Sequence, residues 1–164
     1  MYAIITISIV AIIVLFFGAI QKKAPLLPII YVGLPLAFLL HLLEWNKNIH
    51  YYNNMYIADN FSIAFNGVLI FTTLLVFIFA PVYYKPVTRP LEDIYALILF
   101  ALVGGLIMTG FGNLLMLFVG IETLSLSLYI LAGSKKFDPN SNEAAMKYFL
   151  TGSFASGFLL FGID

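Results

Sequence analysis

The sequence predicts an all-α integral membrane protein of about six transmembrane helices. Three observations predict it. Of 164 residues, 62% are hydrophobic and only 10% are charged, with a formal net charge of zero and a mean hydropathy of +1.02. The apolar residues fall in repeated runs of about 20, the length a helix needs to cross a hydrocarbon core about 30 Å thick. Turn-forming residues and cations gather between those runs and are sparse inside them.

Taken in order, the spans are approximately 2–20, 24–43, 61–84, 94–112, 113–132 and 143–163, forming one polytopic membrane region over 1–164. The first span resembles a signal peptide only superficially. Its cations, Lys22 and Lys23, follow the apolar run instead of preceding it, and no small-x-small cleavage site follows, so it is expected to stay attached. The loop 44–60 carries Trp45, Tyr51, Tyr52 and Tyr56 and reads as an aromatic belt, with His41 beside it as an interfacial residue. The third span is longer than a bilayer needs; Pro81, Pro86 and Pro90 mark its exit and the following loop, and Glu92 and Asp93 favour the next helix N-terminus. Gly112-Asn113 is the only break between the fourth and fifth spans, which must form a tight helical hairpin. Gly104 and Gly105 read as packing residues.

The cations set the expected orientation. Lys22 and Lys23 follow the first span, Lys85 and Arg89 the third, Lys135 and Lys136 the fifth, whereas only Lys47 lies in a loop on the opposite side. Six of seven loop cations thus share one face, which the positive-inside rule makes cytoplasmic, and both termini are expected outside.

Glu122 is the one ionisable group in the apolar run Asn113 to Ala132. A charge at mid-bilayer costs about 2.5–3.5 kcal/mol on insertion scales, so such a carboxylate faces a protein partner or a water path, and its default reading is a proton or ion site. The alternative is a permanently protonated acid making an interhelical hydrogen bond. Phe118, Glu122, Ser125 and Tyr129 recur at three- and four-residue spacing, so a carboxyl, a hydroxyl and a phenol share a candidate polar track. Lys147, early in the sixth span, stacks with Thr151 at i and i+4. At about 1.5 Å rise per residue, Lys147 is expected near the level of Leu128 and Tyr129, about 9 Å from Glu122 along the bilayer normal. It either tunes the carboxylate through bridging water or snorkels to the interface. Ser125, Ser127 and Thr151 also fit ordinary interhelical hydrogen bonding. Gly152, Ser153, Ser156 and Gly157 give small-xxx-small spacing suited to close helix approach.

Other chemistry is excluded by what the sequence lacks. Cysteine is absent, so there are no disulfides or thiolate-bound iron–sulfur clusters, and His41 and His50, nine positions apart, give no haem or metal spacing. No Gly-rich phosphate loop, basic stripe or Ser/His/Asp arrangement points to nucleotide or nucleic-acid binding.

The stretch from Leu117 to Tyr129, Leu-Phe-Val-Gly-Ile-Glu-Thr-Leu-Ser-Leu-Ser-Leu-Tyr, precedes a short basic loop and then the run from Glu143 to Gly162, which opens Glu-Ala-Ala-Met-Lys-Tyr-Phe. Together, in that order, they closely resemble the N subunit of bacterial proton-pumping NADH:quinone oxidoreductase, respiratory complex I. Asp59-Asn60-Phe61-Ser62 and the fourth span resemble it more loosely. The chain is similar to the N-terminal third of that subunit, which makes it the N-terminal part of an antiporter-like helical bundle, with helices from residue 94 onward beginning an incomplete core repeat. The resemblance implies proton translocation coupled to electron transfer from NADH to quinone, with Glu122 as central relay carboxylate and Lys147 matching a lysine early in the sixth helix. It also implies that NADH, FMN, iron–sulfur clusters and quinone belong to partner subunits, that no cofactor or metal is bound by this chain, and that the setting is the bacterial inner membrane. The partners implied are lipid and the other membrane-arm subunits. Because the family's later helices and their lysines lie beyond Asp164, the chain is expected to be a fragment of a longer subunit or a truncated product that does not pump alone. The alternatives are a cation/proton antiporter subunit and a non-catalytic membrane assembly protein.

The division of loop cations predicts that a cysteine introduced beside Lys135 is labelled by an impermeant reagent only from the cytoplasmic side. Labelling from outside would reverse the topology.

Overall fold

The computed structural model describes residues 1–20, 26–84, 91–135 and 137–163. The loop cations Lys22, Lys23, Lys85, Arg89 and Lys136, the prolines Pro86 and Pro90, the first residues of the expected second span, and Asp164 lie outside the described residues. Six helices are present: α1 (Tyr2–Ile20), α2 (Leu26–Leu42), α3 (Asn60–Tyr84), α4 (Leu91–Thr109), α5 (Leu114–Ala132) and α6 (Pro139–Ile163). They run up and down, so that the start of α1, the end of α2, the start of α3, the end of α4 and the start of α5 meet at one end. Contacts of Met1 with Glu44, Asn66 with Thr109 and Ile57 with Gly110 tie that end together. Lys135 follows α5 at the opposite end.

The helix ends follow from local chemistry. Asp59 caps α3 by accepting the Ser62 backbone N–H at 2.8 Å, while its own N–H donates to Ser62 Oγ at 3.1 Å, a reciprocal capping box. Asn113 caps α5, its side-chain oxygen accepting from the Met116 N–H at 2.8 Å, an interaction worth about 1 kcal/mol. Pro139 occupies the first position of α6, where a missing N–H costs nothing. Ser141 Oγ donates to the Ala132 carbonyl at 2.7 Å and joins the end of α5 to the start of α6.

Helix α4 is the hub. It packs on α1, α3 and α5, and its buried residues, Ile94 to Ala96, Leu99, Leu102 to Gly104, Leu106 and Ile107, extend around most of its circumference. At the far extreme, α6 buries none of its residues. In lipid there is no hydrophobic drive between helices, so small residues that let backbones approach set the contacts. A methyl group on Gly104 would lie 2.5 Å from the Leu124 nitrogen and 2.8 Å from the Gly120 carbonyl oxygen, so α4 and α5 touch backbone to backbone there. Gly33 meets Val10 between α1 and α2, and Gly67 meets Phe38 between α2 and α3.

The loop between α2 and α3, expected as an aromatic belt, folds into an antiparallel hairpin of β1 (Ile49–Tyr51) and β2 (Tyr56–Ala58), with Ile49 opposite Ala58 and Tyr51 opposite Tyr56. The turn at Tyr52, Asn53 and Asn54 has φ between 52° and 68°, a region asparagine tolerates. The hairpin docks on the α4–α5 connection, the Ile57 N–H donating to the Gly110 carbonyl at 2.7 Å and the Gly112 N–H to the Met55 carbonyl at 2.8 Å. A side chain at Gly112 would strike the Asn54 carbonyl, so the connection must be glycine-rich to admit the hairpin.

Pro81, expected to mark the exit of the third span, instead lies within α3, which continues to Tyr84. A proline has no N–H to give the carbonyl four residues back, here that of Phe77. The Tyr31 hydroxyl donates to that carbonyl at 2.9 Å, and the Phe77 ring packs edge-on against Tyr95 at 5.6 Å. Helix α2 therefore supplies the hydrogen bond that α3 gave up, and the helix passes through its proline.

Two outcomes follow from this packing. Gly104→Ala is expected to destabilise the bundle by about 1–3 kcal/mol, as overpacking does, whereas Gly105→Ala, whose new methyl meets Leu69 at an ordinary 3.5 Å, is tolerated. Loss of helical signal on SDS titration of the reconstituted protein measures both. Tyr31→Phe should cost about 1–3 kcal/mol by leaving the Phe77 carbonyl without a donor. In a Pro81→Ala background the restored N–H should remove most of that cost.

Candidate functional site

Glu122 lies midway along α5, between Gly120 and Leu124, the residues that form the close contact with Gly104 of α4. The backbone crossing thus fixes the depth and rotation of the carboxylate. Its Oε1 is buried and has no hydrogen-bond partner among the described residues. A buried, unpartnered carboxylate oxygen is costly when charged and is best satisfied by binding a proton or a donor from a neighbouring segment. On the face of α5 toward α4, Ser127 is buried and donates to the Thr123 carbonyl at 2.9 Å, and Thr123 donates to the Val119 carbonyl at 2.8 Å. These hydroxyls are satisfied within their own helix.

The track along α5 is placed unevenly. Ser125 is half-buried, while Tyr129 is buried at the α5–α6 contact, its ring edge-on to Tyr148 at 4.7 Å and Phe149 at 5.8 Å. The Tyr129 phenol lies directly over Gly152, where any side chain would collide with it. Gly152 therefore does admit close approach on α6, while Gly157 faces nothing among the described residues. Thr151 is exposed and donates to the Lys147 carbonyl at 2.8 Å, along its own helix.

Lys147 lies nearer the end of α5 than the expected level of Leu128 and Tyr129, although the ring of its neighbour Tyr148 packs on Tyr129. The observed register sets Gly152 against Tyr129 and Ala145 against Gly133, which places Lys147 beside the end of α5, about 14 Å from Glu122 along the axis at 1.5 Å per residue. Its ammonium pairs with Glu143 one turn earlier on α6, and the two side chains are 73% and 61% exposed. Helix α6 begins at Pro139, and with Ala145 against Gly133 its first residues extend past the end of α5. Within the described residues, the structure brings Glu122 and Lys147 to different levels of the bundle.

A second polar cluster, which the sequence reading missed, sits beneath the hairpin. His41, read from the sequence as interfacial, is 1% exposed, because the hairpin and the starts of α1 and α3 close over the end of α2. Its Nδ1 lies 2.9 Å from Glu44 Oε2. Glu44, fully buried, also accepts from the Met1 amine at 2.8 and 3.0 Å and from the Tyr51 hydroxyl at 2.6 Å. Burial alone would push the Glu44 carboxyl up, but the hydrogen bonds from the terminal amine, Tyr51 and His41 outweigh it and hold the group below its usual value. On the other side of the ring, Asn66 Nδ2 reaches His41 Nε2 at 3.2 Å and the Tyr56 hydroxyl at 3.3 Å, and the Thr109 hydroxyl bonds Asn66 Oδ1. Burial pushes the Tyr56 phenol up to about 12, reinforced by the charges of Glu44 and Asp59 and opposed by the bond from Asn66. One signal was available in the sequence: Asn66 is the only amide side chain in the apolar third span, and the acidic Glu44 follows His41 by three residues at the end of the second span.

Among the described residues no cluster of three or more His, Cys, Asp or Glu side chains is arranged to hold a metal ion.

Comparison with known proteins connects the first site to a family. A family model described as NADH:quinone oxidoreductase/Mrp antiporter, TM, matches residues 112–164, the segment containing Glu122, Tyr129, Lys147 and Thr151. NADH-quinone oxidoreductase subunit N of Flavobacterium psychrophilum is 42% identical over 163 residues, 99% of this chain and 36% of that protein. Subunit N of Flavobacterium johnsoniae is 39% identical over the same share of the chain and 35% of its own length. A Cytophaga hutchinsonii subunit N is 59% identical over 71 residues, 43% of this chain and 16% of that protein. In solved structures, a chain of respiratory complex I from Thermus thermophilus with bound aureothin superposes with a TM-score of 0.78 at 26% identity, covering 98% of this chain and 35% of that one. The chain spans about a third of the length of the relatives it matches, and over that third it is a homologue of NADH-quinone oxidoreductase subunit N.

Proposed function

We propose that this chain forms part of a membrane subunit of NADH-quinone oxidoreductase in the bacterial inner membrane, in which Glu122 takes up and releases a proton in step with electron transfer from NADH to quinone. The observation that carries this reading is the buried, unpartnered Glu122 oxygen at the middle of α5, inside the segment matched by the antiporter-type family model. A cation beside a carboxylate favours its charged form and one that withdraws favours the protonated form, each pKa unit being worth about 1.4 kcal/mol. That is how such a group couples a movement elsewhere to a proton. The helices from 94 onward begin the antiporter-like core repeat. Redox chemistry then belongs to partner subunits carrying FMN and iron–sulfur clusters.

Lys147 has a lesser role in this reading, because it pairs with Glu143 well away from Glu122. The cation that meets Glu122 comes from other helices of the assembly. Helix α6 supports a need for neighbours: it carries Glu143, Lys147, Thr151 and Ser153 exposed, and polar groups facing lipid are costly. The loop cations orient the hairpin end outward, with both chain termini on that side.

A cation/proton antiporter subunit is the second reading, favoured by the Mrp antiporter wording of the family model. The whole-chain matches to subunit N favour the first. Co-purification with flavin and iron–sulfur subunits separates them.

In the assembled complex, Glu122→Gln should lower proton translocation about tenfold or more, equivalent to at least about 1.4 kcal/mol of barrier, while assembly persists. Glu122→Asp should retain part of the activity, and Lys147→Ala should change it less than Glu122→Gln does. Proton uptake and subunit content measured in the same vesicles give the answer. Normal pumping by the glutamine variant would reduce Glu122 to a structural hydrogen bond and favour a non-catalytic assembly role.

A further inference from the structure

We propose that His41 is a second proton-binding site, at the hairpin end of the bundle, and that the Asn66 side-chain amide turns over when the proton binds. This inference stands apart from the reading of Glu122. The two sites share no helix: His41 and Asn66 belong to α2 and α3, Glu122 to α5.

With the Asn66 amide in this orientation, the hydrogen bonds suit a neutral His41 ring. An amide NH2 can only donate, so His41 Nε2, 3.2 Å from Asn66 Nδ2, must be the acceptor nitrogen, and Nδ1 carries the hydrogen that goes to Glu44 Oε2 at 2.9 Å. The ring is therefore neutral in this arrangement. A proton arriving at Nε2 would face the Asn66 NH2 group, donor against donor, in a site where Asn66 and Glu44 are fully buried. Rotating the Asn66 amide by half a turn removes that conflict, because Oδ1 then accepts from Nε2–H.

Every neighbour of the amide can serve both orientations, and that is the unusual property of the cluster. The Thr109 hydroxyl has two acceptors in reach, Asn66 Oδ1 and the Leu106 carbonyl at 2.9 Å. With the amide as observed, Thr109 donates to Oδ1; with the amide turned, it donates to Leu106 and accepts from the NH2 group. The Tyr56 hydroxyl, 3.3 Å from Asn66 Nδ2, accepts from the amide in the first state and donates to Oδ1 in the second. No buried polar group loses its partner in either state, so the change of charge costs little hydrogen bonding. The charges facing the ring are the Glu44 carboxylate, which stabilises an imidazolium, and the Met1 amine on the far side of Glu44, which opposes it. Tyr51 reaches the ring only through Glu44, and Asp59 acts on Tyr56 from the start of α3. From α4 only the uncharged Thr109 faces the amide. Glu44, beyond the last turn of α2, links the ring to half-buried Tyr51 on the hairpin and so to the aqueous side. Because Tyr56 and Asn66 join the hairpin to α3 and Thr109 joins α3 to α4, the protonation state is read by three elements at once.

The test is a pH titration of the 15N-histidine-labelled full chain in lipid vesicles, followed by solid-state NMR, with the His41 signal assigned by its loss in His41→Gln. As the pH is lowered from 8 to 4, His41 should convert from the Nδ1–H tautomer to the doubly protonated ring in one step. Asn66→Asp, whose carboxylate accepts from Nε2–H without turning, should raise the midpoint by a unit or more. Thr109→Val, which removes one partner of the amide in each orientation, should move the midpoint less than Asn66→Asp does, and Thr109→Ser should leave it in place. A ring that keeps one tautomer through this range, or a midpoint that Asn66→Asp does not raise, overturns the proposal. Helical content of each variant, checked by circular dichroism, separates a shifted midpoint from a lost fold.

Discussion

Inside hydrocarbon a polar group has only the protein to bond with, and this constraint accounts for the helix hydroxyls and for the partner of Pro81. Thr72, Thr73, Thr123, Ser127 and Thr151 each turn their hydroxyl back to a carbonyl one turn earlier. Pro81 frees a carbonyl, and Tyr31 from a neighbouring helix takes it up. The hairpin gives its backbone groups to the α4–α5 connection. Against that background, Glu122 at the middle of α5 carries a buried oxygen without a partner among the described residues, as does Glu92 at the start of α4.

The same constraint explains why the two buried polar centres differ. Around His41, three helices and a hairpin converge at one end of the bundle, and side chains from each complete a closed network. Around Glu122, α5 meets α4 along backbone at Gly104 and Gly120, a contact too close to admit a polar side chain from α4. Among the described residues the carboxylate oxygen Oε1 finds no donor, and the Lys147 ammonium of α6 pairs with Glu143. A closed network stores a proton or a structural contact, whereas an open one invites a partner from outside the segment. The glycines that give α4 and α5 their close packing thus also determine which side of α5 remains open for chemistry.

Much of the fold was legible in the sequence because hydropathy is read one residue at a time. The number of helices, their approximate limits and the isolation of Glu122 follow from runs of apolar residues and the cost of a charge among them. The tight α4–α5 turn followed from Gly112-Asn113, and the packing role of Gly104 from its size. The hairpin was not legible: Ile49 to Tyr51 and Tyr56 to Ala58 are three-residue strands, too short for an alternation pattern to register.

By itself the sequence determined what each segment is, a membrane helix or a loop, and that one of those helices carries a carboxylate it could not bury without purpose. Only the tertiary structure decided which groups meet. His41 and Asn66 are 25 residues apart and Asn66 and Thr109 are 43 apart, and no periodicity along the chain relates them. The depth of Lys147 likewise depended on the register of α6 against α5, set by the Tyr129 phenol over Gly152. Burial of single residues is a local free energy that composition reports, whereas pairing of distant polar groups is fixed by helix rotation and register, which arise only when the helices pack.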